Sequence, residues 1–408
     1  MSTPAATTAN VTRPVRLYYL DNLRSFVVLV VVVFHAAMAF MIYCPSWWPV
    51  IDPQQNRFFL MLVLLTDIPI MPVLFLVAGY FAIASLAKKG QGKFWKDKLL
   101  HIVLPWILGF LIIAPTSPYI WLAARHKAPS FAYFWVHMFF TKTFNTQGAL
   151  WFLGVLTVFY LALSLAYSMC QPLGNTVDKT APPGLGFLLL FWLVPSAVYT
   201  AVNQFWSDFA WIPVKYVLWV QPTRVSLYLF YFALGVYAYR KRWFGAGGYT
   251  PRVALWLPLA VVTGGMFCWY KIHFRFLMLR LPLRAGNNML HCLFCLCTIL
   301  ALLGLFRAYL DWTSAFLAKL AASSYAIYWV HMPIVLLSNL VVQGYRWNIY
   351  VKYLAVCVLA LIVSFLVGAY VLSWLPMFGG RNPKASSQAT RRTPPEKSPA
   401  TSLGAANL

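Results

Sequence analysis

The run Tyr19-Leu20-Asp21-Asn22-Leu23-Arg24-Ser25, continuing through the unbroken apolar stretch Phe26 to Phe34 and ending on His35, decides how the rest of the chain is read. An apolar stretch of this kind begins a membrane helix, for which about 20 predominantly apolar residues are needed. An ionisable side chain at the bilayer centre costs about 2.5–3.5 kcal/mol on insertion scales, so each one asks for a reason. Arg24 and His35 are eleven positions apart, which at 100° per residue is about 20° beyond three full turns, so both lie on one helix face with a rise of roughly 16 Å between them. Asp21 stands one turn before Arg24 on the same face. Two readings are open. Arg24 can be a snorkelling anchor, Asp21 a helix cap and His35 a histidine bonded to a neighbouring helix. Alternatively, a cationic mouth with an imidazole deeper in the same groove suits an anionic donor whose reactive end must travel inward. Arginine suits phosphate, and imidazole suits a general base or a transient acyl acceptor near neutral pH.

The composition around this stretch points to the bilayer. Of 408 residues, 61% are apolar, only 10% are charged, and 18% are aromatic, with 18 Trp; the mean hydropathy is +0.70. A soluble domain is about 45–50% apolar and about 25% charged. The eight acidic residues are seven Asp and the lone Glu396, which argues against a buried Glu pair or a carboxylate cage for a hard metal. We expect an all-α integral membrane protein with about ten transmembrane helices, at 25–43, 58–87, 99–115, 148–170, 185–206, 223–239, 253–270, 288–306, 320–343 and 350–375. The segment 117–147, aromatic and broken by Pro118 and Pro129, reads as an outer loop with an interfacial helix. With the N-terminus inside, the inner segments hold 19 of the 32 Lys and Arg and the outer segments 11, with Arg24 and Arg224 at span edges; this bias puts both termini in the cytoplasm. The formal charge of +24 is thus a topology signal and a contact with anionic lipid, and no nucleic-acid motif accompanies it. Residues 1–14 and 378–408 read as flexible tails around a domain at 15–377. The cluster His291, Cys292, Cys295 and Cys297 resembles a metal tetrad on paper, but on a helix residues 292 and 297 are about 140° apart. Buried thiols packing as small hydrophobes explain it, and no metal site is expected.

Other polar residues inside the spans extend the pattern. In the second, Asp67-Ile68-Pro69-Ile70-Met71-Pro72 places two prolines three apart, and broken membrane helices face protein or a cavity. Asp67 can orient an imidazole or activate a hydroxyl; equally, it can satisfy backbone groups the prolines free. The basic run Lys93-Phe94-Trp95-Lys96-Asp97-Lys98 is positive-inside charge or a second clamp for donor phosphates. Leu150-Trp151-Phe152-Leu153 opens the fourth span, and Ser323-Ser324-Tyr325-Ala326-Ile327-Tyr328-Trp329-Val330-His331-Met332-Pro333 puts a second imidazole, His331, behind a polar stripe. A proton-coupled secondary transporter is the rival reading of a broken helix with intramembrane Asp and His. Against it stand the lack of a matching pair of interrupted helices and the concentration of polar residues in spans one, two and nine.

Taken in order, these blocks resemble the membrane acyltransferase-3 family. Arg24 and His35 match its first-span signature of Arg, ten residues, then His. Phe75 to Phe81 is similar to its Phe-Phe-Leu-Ser-Gly-Tyr/Phe segment, and Leu150–Leu153 and Tyr325–Pro333 to its later blocks, most of all in the glucan succinyltransferase branch. Ala78, Ala149, Lys98 and His101 depart from that branch, which usually carries Ser at the first position, His at the second and arginines at the head of span three. The resemblance implies a multi-pass protein of a bacterial inner membrane with no bound cofactor. It would transfer an acyl group, acetyl or succinyl, from cytoplasmic acyl-CoA to a hydroxyl of an extracytoplasmic glycan or other acceptor. It further implies His35 as base or acyl carrier, with Asp67 or His331 completing the acceptor side. Arg24, steadied by Asp21 and helped by Lys96 and Lys98, would hold the donor phosphates, and Trp151 and Tyr325 would line the substrate path.

Overall fold

The computed structural model describes residues 16–141, 143–177, 180, 182–214, 218–245, 247–274 and 280–379. The helices are α1 (Tyr18–Met38), α2 (Arg57–Lys98), α3 (Leu104–Ile112), α4 (Thr116–Ala123), the single turn α5 (Phe131–Tyr133), α6 (Trp151–Met169), α7 (Leu185–Val202), α8 (Pro222–Arg240), α9 (Val253–His273), α10 (Leu281–Tyr309), α11 (Ala315–Gln343) and α12 (Ile349–Leu366). Between α7 and α8 a short hairpin pairs β1 (Ile212–Val214) antiparallel to β2 (Leu218–Val220). Among the described residues, eight helical stretches are long and apolar enough to cross a membrane: Tyr18–Met38, Arg57–Ala123, Gly148–Met169, Leu185–Val202, Val253–His273, Leu281–Tyr309, Ala315–Gln343 and Ile349–Trp374. The second contains 67 residues, about 100 Å of helix at 1.5 Å per residue and far more than one crossing needs. Helix α8, expected as a span, falls outside the eight; its polar ends, from Pro222-Thr223-Arg224 to Arg240, dilute its apolar middle.

Sequence dictates these helices through solvent more than through propensity. Six of the nine residues from Phe26 to Phe34 in α1 are Val, and β-branched residues are indifferent helix formers in water. In hydrocarbon every backbone N–H and C=O must be satisfied within the segment, and the helix is the way a single span does so. The N-terminus of α1 is closed from elsewhere in the chain: the Tyr19 amide donates to the Asp311 carboxylate, and the Asn22 side-chain amide donates to the carbonyls of Leu310 and Trp312.

Two helix pairs build the interior. Helices α1 and α11 lie side by side and run parallel: Arg24 meets the Ala321 carbonyl at one level and His35 meets His331 ten residues further along α11. Helices α2 and α8 also run parallel, with Asp67 against Arg224 at one end and the Leu76–Gly79 segment against Phe232–Gly235 further in. Their approach is close enough that a Cβ on Gly79 would meet the Phe232 carbonyl and one on Gly235 the Leu76 carbonyl, the small-residue contact by which membrane helices pack backbone to backbone. Pro69 and Pro72 do not end α2. Pro72 has no N–H for the Ile68 carbonyl four residues back, and the Cys295 thiol of α10 lies 3.8 Å from that oxygen as its replacement donor. The helix bends instead at Gly90, whose positive φ of 72° is accessible to glycine at little cost. Beyond it, residues 91–98 carry the basic run.

Structure and sequence reading differ at the edges. The polar segment 281–287, expected in a loop, is the first part of α10. Phe378, placed by the sequence reading at the head of the flexible tail, is buried against Tyr325 and Trp329. Residues 1–14 and the rest of the expected C-terminal tail lie outside the described residues.

Candidate functional site

A cavity of about 780 Å³ lies where the far ends of α1, α2, α8 and α11 meet the loops that join the helices on that side. Its floor is helical, from Val31, His35, Asp67, Met71, Tyr228 and Tyr328; its walls come from loops, with Trp47 and Trp48 after α1, Asn145 to Ala149 before α6, and Trp211 and Trp219 flanking or within the hairpin. Six tryptophans line it: Trp47, Trp48, Trp121, Trp151, Trp211 and Trp219. The loops are tied together, since the Trp219 indole N–H donates to the Asn145 side-chain oxygen at 3.0 Å.

Two imidazoles meet at the floor. His35 Nδ1 is 2.8 Å from the Val31 carbonyl and 3.2 Å from His331 Nε2, while His331 Nδ1 is 2.6 Å from the Tyr328 carbonyl. A carbonyl only accepts, so these contacts assign a proton to Nδ1 of each ring. His331 Nε2 then presents its lone pair to the His35 Nδ1–H, and the remaining nitrogen of His35, Nε2, is the basic one. His331 is fully buried, whereas His35 is half-buried and lines the cavity. Trp48 lies nearly parallel to the His35 ring at 5.9 Å. Tyr328, whose carbonyl fixes His331, is itself fixed by a hydrogen bond from its hydroxyl to the Ala149 carbonyl. An imidazole that lines a cavity and has one nitrogen held by acceptors can serve as a general base whose cation would be stabilised from behind.

Across the cavity wall, Asp67 Oδ2 and Arg224 Nη1 are 2.5 Å apart. Asp67 therefore answers a guanidinium, and neither an imidazole nor the proline-freed carbonyl at Ile68, which Cys295 meets. Arg224 Nε also donates to the Asp208 carbonyl at 3.2 Å, and the Gln221 amide donates to the same oxygen at 3.3 Å. The Asp208 carboxylate accepts from the Tyr199 hydroxyl at 3.1 Å and the Asn203 amide at 3.0 Å, and pairs with Lys271 at 3.5 Å. Burial alone would push this carboxyl up; the positive charges of Lys271 and Arg224, with His291 nearby and the Tyr199 hydrogen bond, hold it below its ordinary value. Trp151 stacks on Tyr228 at 5.6 Å and meets Trp211 edge-on at 5.7 Å.

The residues singled out by sequence thus separate into two groups. His35, His331, Asp67 and Trp151 come together at or just behind the cavity. Asp21, Arg24, Lys96, Lys98 and Tyr325 lie toward the opposite end of the same helices. The Arg24 side chain, 39% exposed, donates to the Ala321 carbonyl at 3.0 Å and stands 3.8 Å from Asp21, which Arg16 also binds at 2.8 Å. Tyr325, one turn beyond Ala321 on α11, packs on Phe378, and its hydroxyl has no hydrogen-bond partner among the described residues. Lys98 lies over the Tyr160 ring at 4.8 Å and beside Asp97, and Lys96 is exposed on the segment beyond Gly90. Sequence reasoning missed Arg224, noted only as a span-edge cation, and five of the six cavity tryptophans. The signal for Arg224 was its offset of 157 from Asp67, legible once α2 and α8 are known to run parallel.

The model of a protein family described as an acyltransferase domain matches residues 17–369. No curated protein matches the chain, and no solved structure does.

Proposed function

Because the chain belongs to this acyltransferase family, we propose that it carries an acyl group across the membrane, from a cytoplasmic acyl-CoA to a hydroxyl of an extracytoplasmic glycan or other acceptor. Counting α2 and α3 as separate crossings and including α8 gives ten spans with both termini in the cytoplasm, the arrangement the Lys and Arg distribution favours. The cavity then opens on the outer side and the Arg24 group faces the cytoplasm. A bacterial inner membrane suits this reading.

The observation that carries the proposal is the His35–His331 pair at the floor of an aromatic cavity. Six indoles with interspersed Ser, Thr, Asn and Gln suit an acceptor that has both apolar faces and hydroxyls, as a sugar does. In the transfer step the acceptor oxygen attacks the thioester carbonyl carbon and gives its proton to His35 Nε2. The carbonyl electron pair moves onto oxygen; when it returns, the C–S bond breaks and the CoA sulfur leaves with the proton from His35. His331 orients the ring throughout and receives a hydrogen bond from Nδ1–H that strengthens as His35 becomes positive. No resident cofactor enters the step. At the other end, Arg24 offers a fork-shaped donor to CoA phosphates, held by Asp21 and the Ala321 carbonyl, with Lys96 and Lys98 adding charge. The rise of roughly 16 Å from Arg24 to His35 is the length the thioester arm must cover. Tyr325 stands between the two levels. The likeness to the glucan succinyltransferase branch makes succinyl, beside acetyl, the acyl group to try first.

The test is acyl transfer by purified protein in liposomes, with labelled acetyl-CoA or succinyl-CoA in one compartment and a glycan acceptor in the other. CoA release that requires the acceptor opposite, and that falls by about 10²–10⁴ in His35→Ala, supports transmembrane transfer. CoA release indifferent to His35 removes the mechanism, and no release with either donor removes the reading.

A further inference from the structure

We propose that Arg224, positioned by Asp67, stabilises the oxyanion that forms on the acyl carbonyl during transfer. This rests on the acyl-transfer reading above and adds to it the group that meets the negative charge.

Arg224 lines the cavity that His35 lines, and its side chain is only 10% exposed. A guanidinium has five N–H donors. Nε is used by the Asp208 carbonyl, Nη1 faces Asp67, and the Tyr228 hydroxyl accepts a hydrogen bond from the guanidinium. These partners engage three of the five N–H groups, and the two that remain are the donors left for a ligand. Arg224 belongs to the wall of an open cavity, so those hydrogens are available to what the cavity holds. Two rigid acceptors on Nε and Nη1 fix the plane of the fork before substrate arrives, and donors fixed in advance at low dielectric are what electrostatic catalysis requires.

Charge balance selects the kind of anion. Asp67 and Arg224 are the two oppositely charged residues among those lining the cavity, and they neutralise each other at 2.5 Å. A permanent negative charge, the free carboxylate of a succinyl group included, would find no surplus cation there, which favours acetyl of the two acyl groups. A carbonyl oxygen that becomes negative only during the reaction gains from oriented N–H groups without demanding a net positive site. A sphere of 780 Å³ is about 11 Å across, which lets one ester-forming centre lie between a base on α1 and a donor on α8. In the transfer step the electron pair displaced from the carbonyl rests on its oxygen, and Arg224 donates N–H hydrogen bonds to that oxyanion until the pair returns and the C–S bond breaks.

The experiment compares wild type, Arg224→Lys and the double variant Asp67→Asn/Arg224→Gln in the liposome assay, recording kcat, KM for donor and acceptor, and the thermal midpoint in detergent. The double variant leaves no unpaired buried charge and is expected to keep its midpoint. Its kcat should fall by about 10²–10³-fold with KM changed less than about threefold, as for loss of an oxyanion donor. Arg224→Lys, which keeps the charge but loses the fork, should lose about tenfold in kcat. A double variant with wild-type kcat, Arg224→Lys with wild-type kcat, or a rise in KM with kcat preserved each overturns the assignment while leaving acyl transfer intact. Absence of turnover in wild type overturns both.

Discussion

At the scale of residues, the molecule spends its few ionisable groups in pairs. His331 has its ring direction set by the Tyr328 carbonyl, and Tyr328 is set by Ala149. We therefore expect His331→Ala to leave His35 present but loosely aimed, lowering kcat by about 10²-fold, the order that a misplacement of about 1 Å can cost; donor KM should hold, because the Arg24 end is untouched. Lys352 and Asp52 form a second kind of pair, 2.9 Å apart, each with 2% of its side chain exposed. Removing one partner leaves a buried charge uncompensated, so Lys352→Ala should destabilise by about 3–5 kcal/mol, whereas Lys352→Met with Asp52→Leu should be near neutral; thermal midpoints in detergent compare the two. Asp208 gives a pH signature. Its carboxyl is held below its ordinary value in the folded protein, so its contribution is fully present above the unfolded value of about 4 and disappears as pH falls through the lower folded value. Tryptophan fluorescence from the Trp206–Trp219 loop should loosen only under acid in wild type and already at neutral pH in Asp208→Asn.

At the scale of elements, helix register places the chemistry. The α2–α8 contact at Gly79 and Gly235 holds the two helices at the height where Asp67 faces Arg224. Gly235→Leu must displace the Leu76 carbonyl, and overpacking of this kind costs about 1–3 kcal/mol or more. It should lower folded yield and acyl transfer together. Gly265→Leu on α9, where an added Cβ meets nothing within 4 Å, should be silent in both measurements. Elements were also where the sequence was most readable. Eight helical stretches of adequate length and apolarity take up the expected spans other than 223–239, with 58–87 and 99–115 sharing one stretch, because hydrocarbon forces apolar runs into helices whatever their propensity. His35 was legible for the same reason: an imidazole at depth needs an explanation. Arg224 was not, since a cation at a span edge is satisfied by snorkelling, and only the parallel register of α8 on α2 turns it inward. The tryptophan-lined cavity was hidden for a different cause. Loop aromatics such as Trp47, Trp48, Trp211 and Trp219 carry no periodicity that tells which way they face, so their convergence belongs to tertiary structure alone.

At the scale of the whole molecule, the arrangement is polarised along the helix axes, with cations and the bend at Gly90 at one end and an aromatic cavity at the other. Orientation in the membrane is directly measurable. In a background without native cysteines, Trp347→Cys, exposed after α11, should react with a membrane-impermeant maleimide on intact cells, and Trp312→Cys, exposed before α11, only after permeabilisation; the reverse pattern would invert the proposed direction of transfer.

The parallel pairings have a consequence for biogenesis. His35 and His331 are 296 residues apart in the chain, and Asp67 waits 157 residues for Arg224. The ribosome must deliver about four-fifths of the protein to the insertion machinery before the first-span imidazole acquires its neighbour. During that interval Asp67 sits in the bilayer without its counter-charge, a state that favours a chaperoning insertase or delayed entry of α2. A half-synthesised chain is thereby chemically idle. Under the acyl-transfer proposal it holds a base that is not yet aimed and a cavity that is not yet enclosed, so an unfinished protein would not hydrolyse the proposed donor.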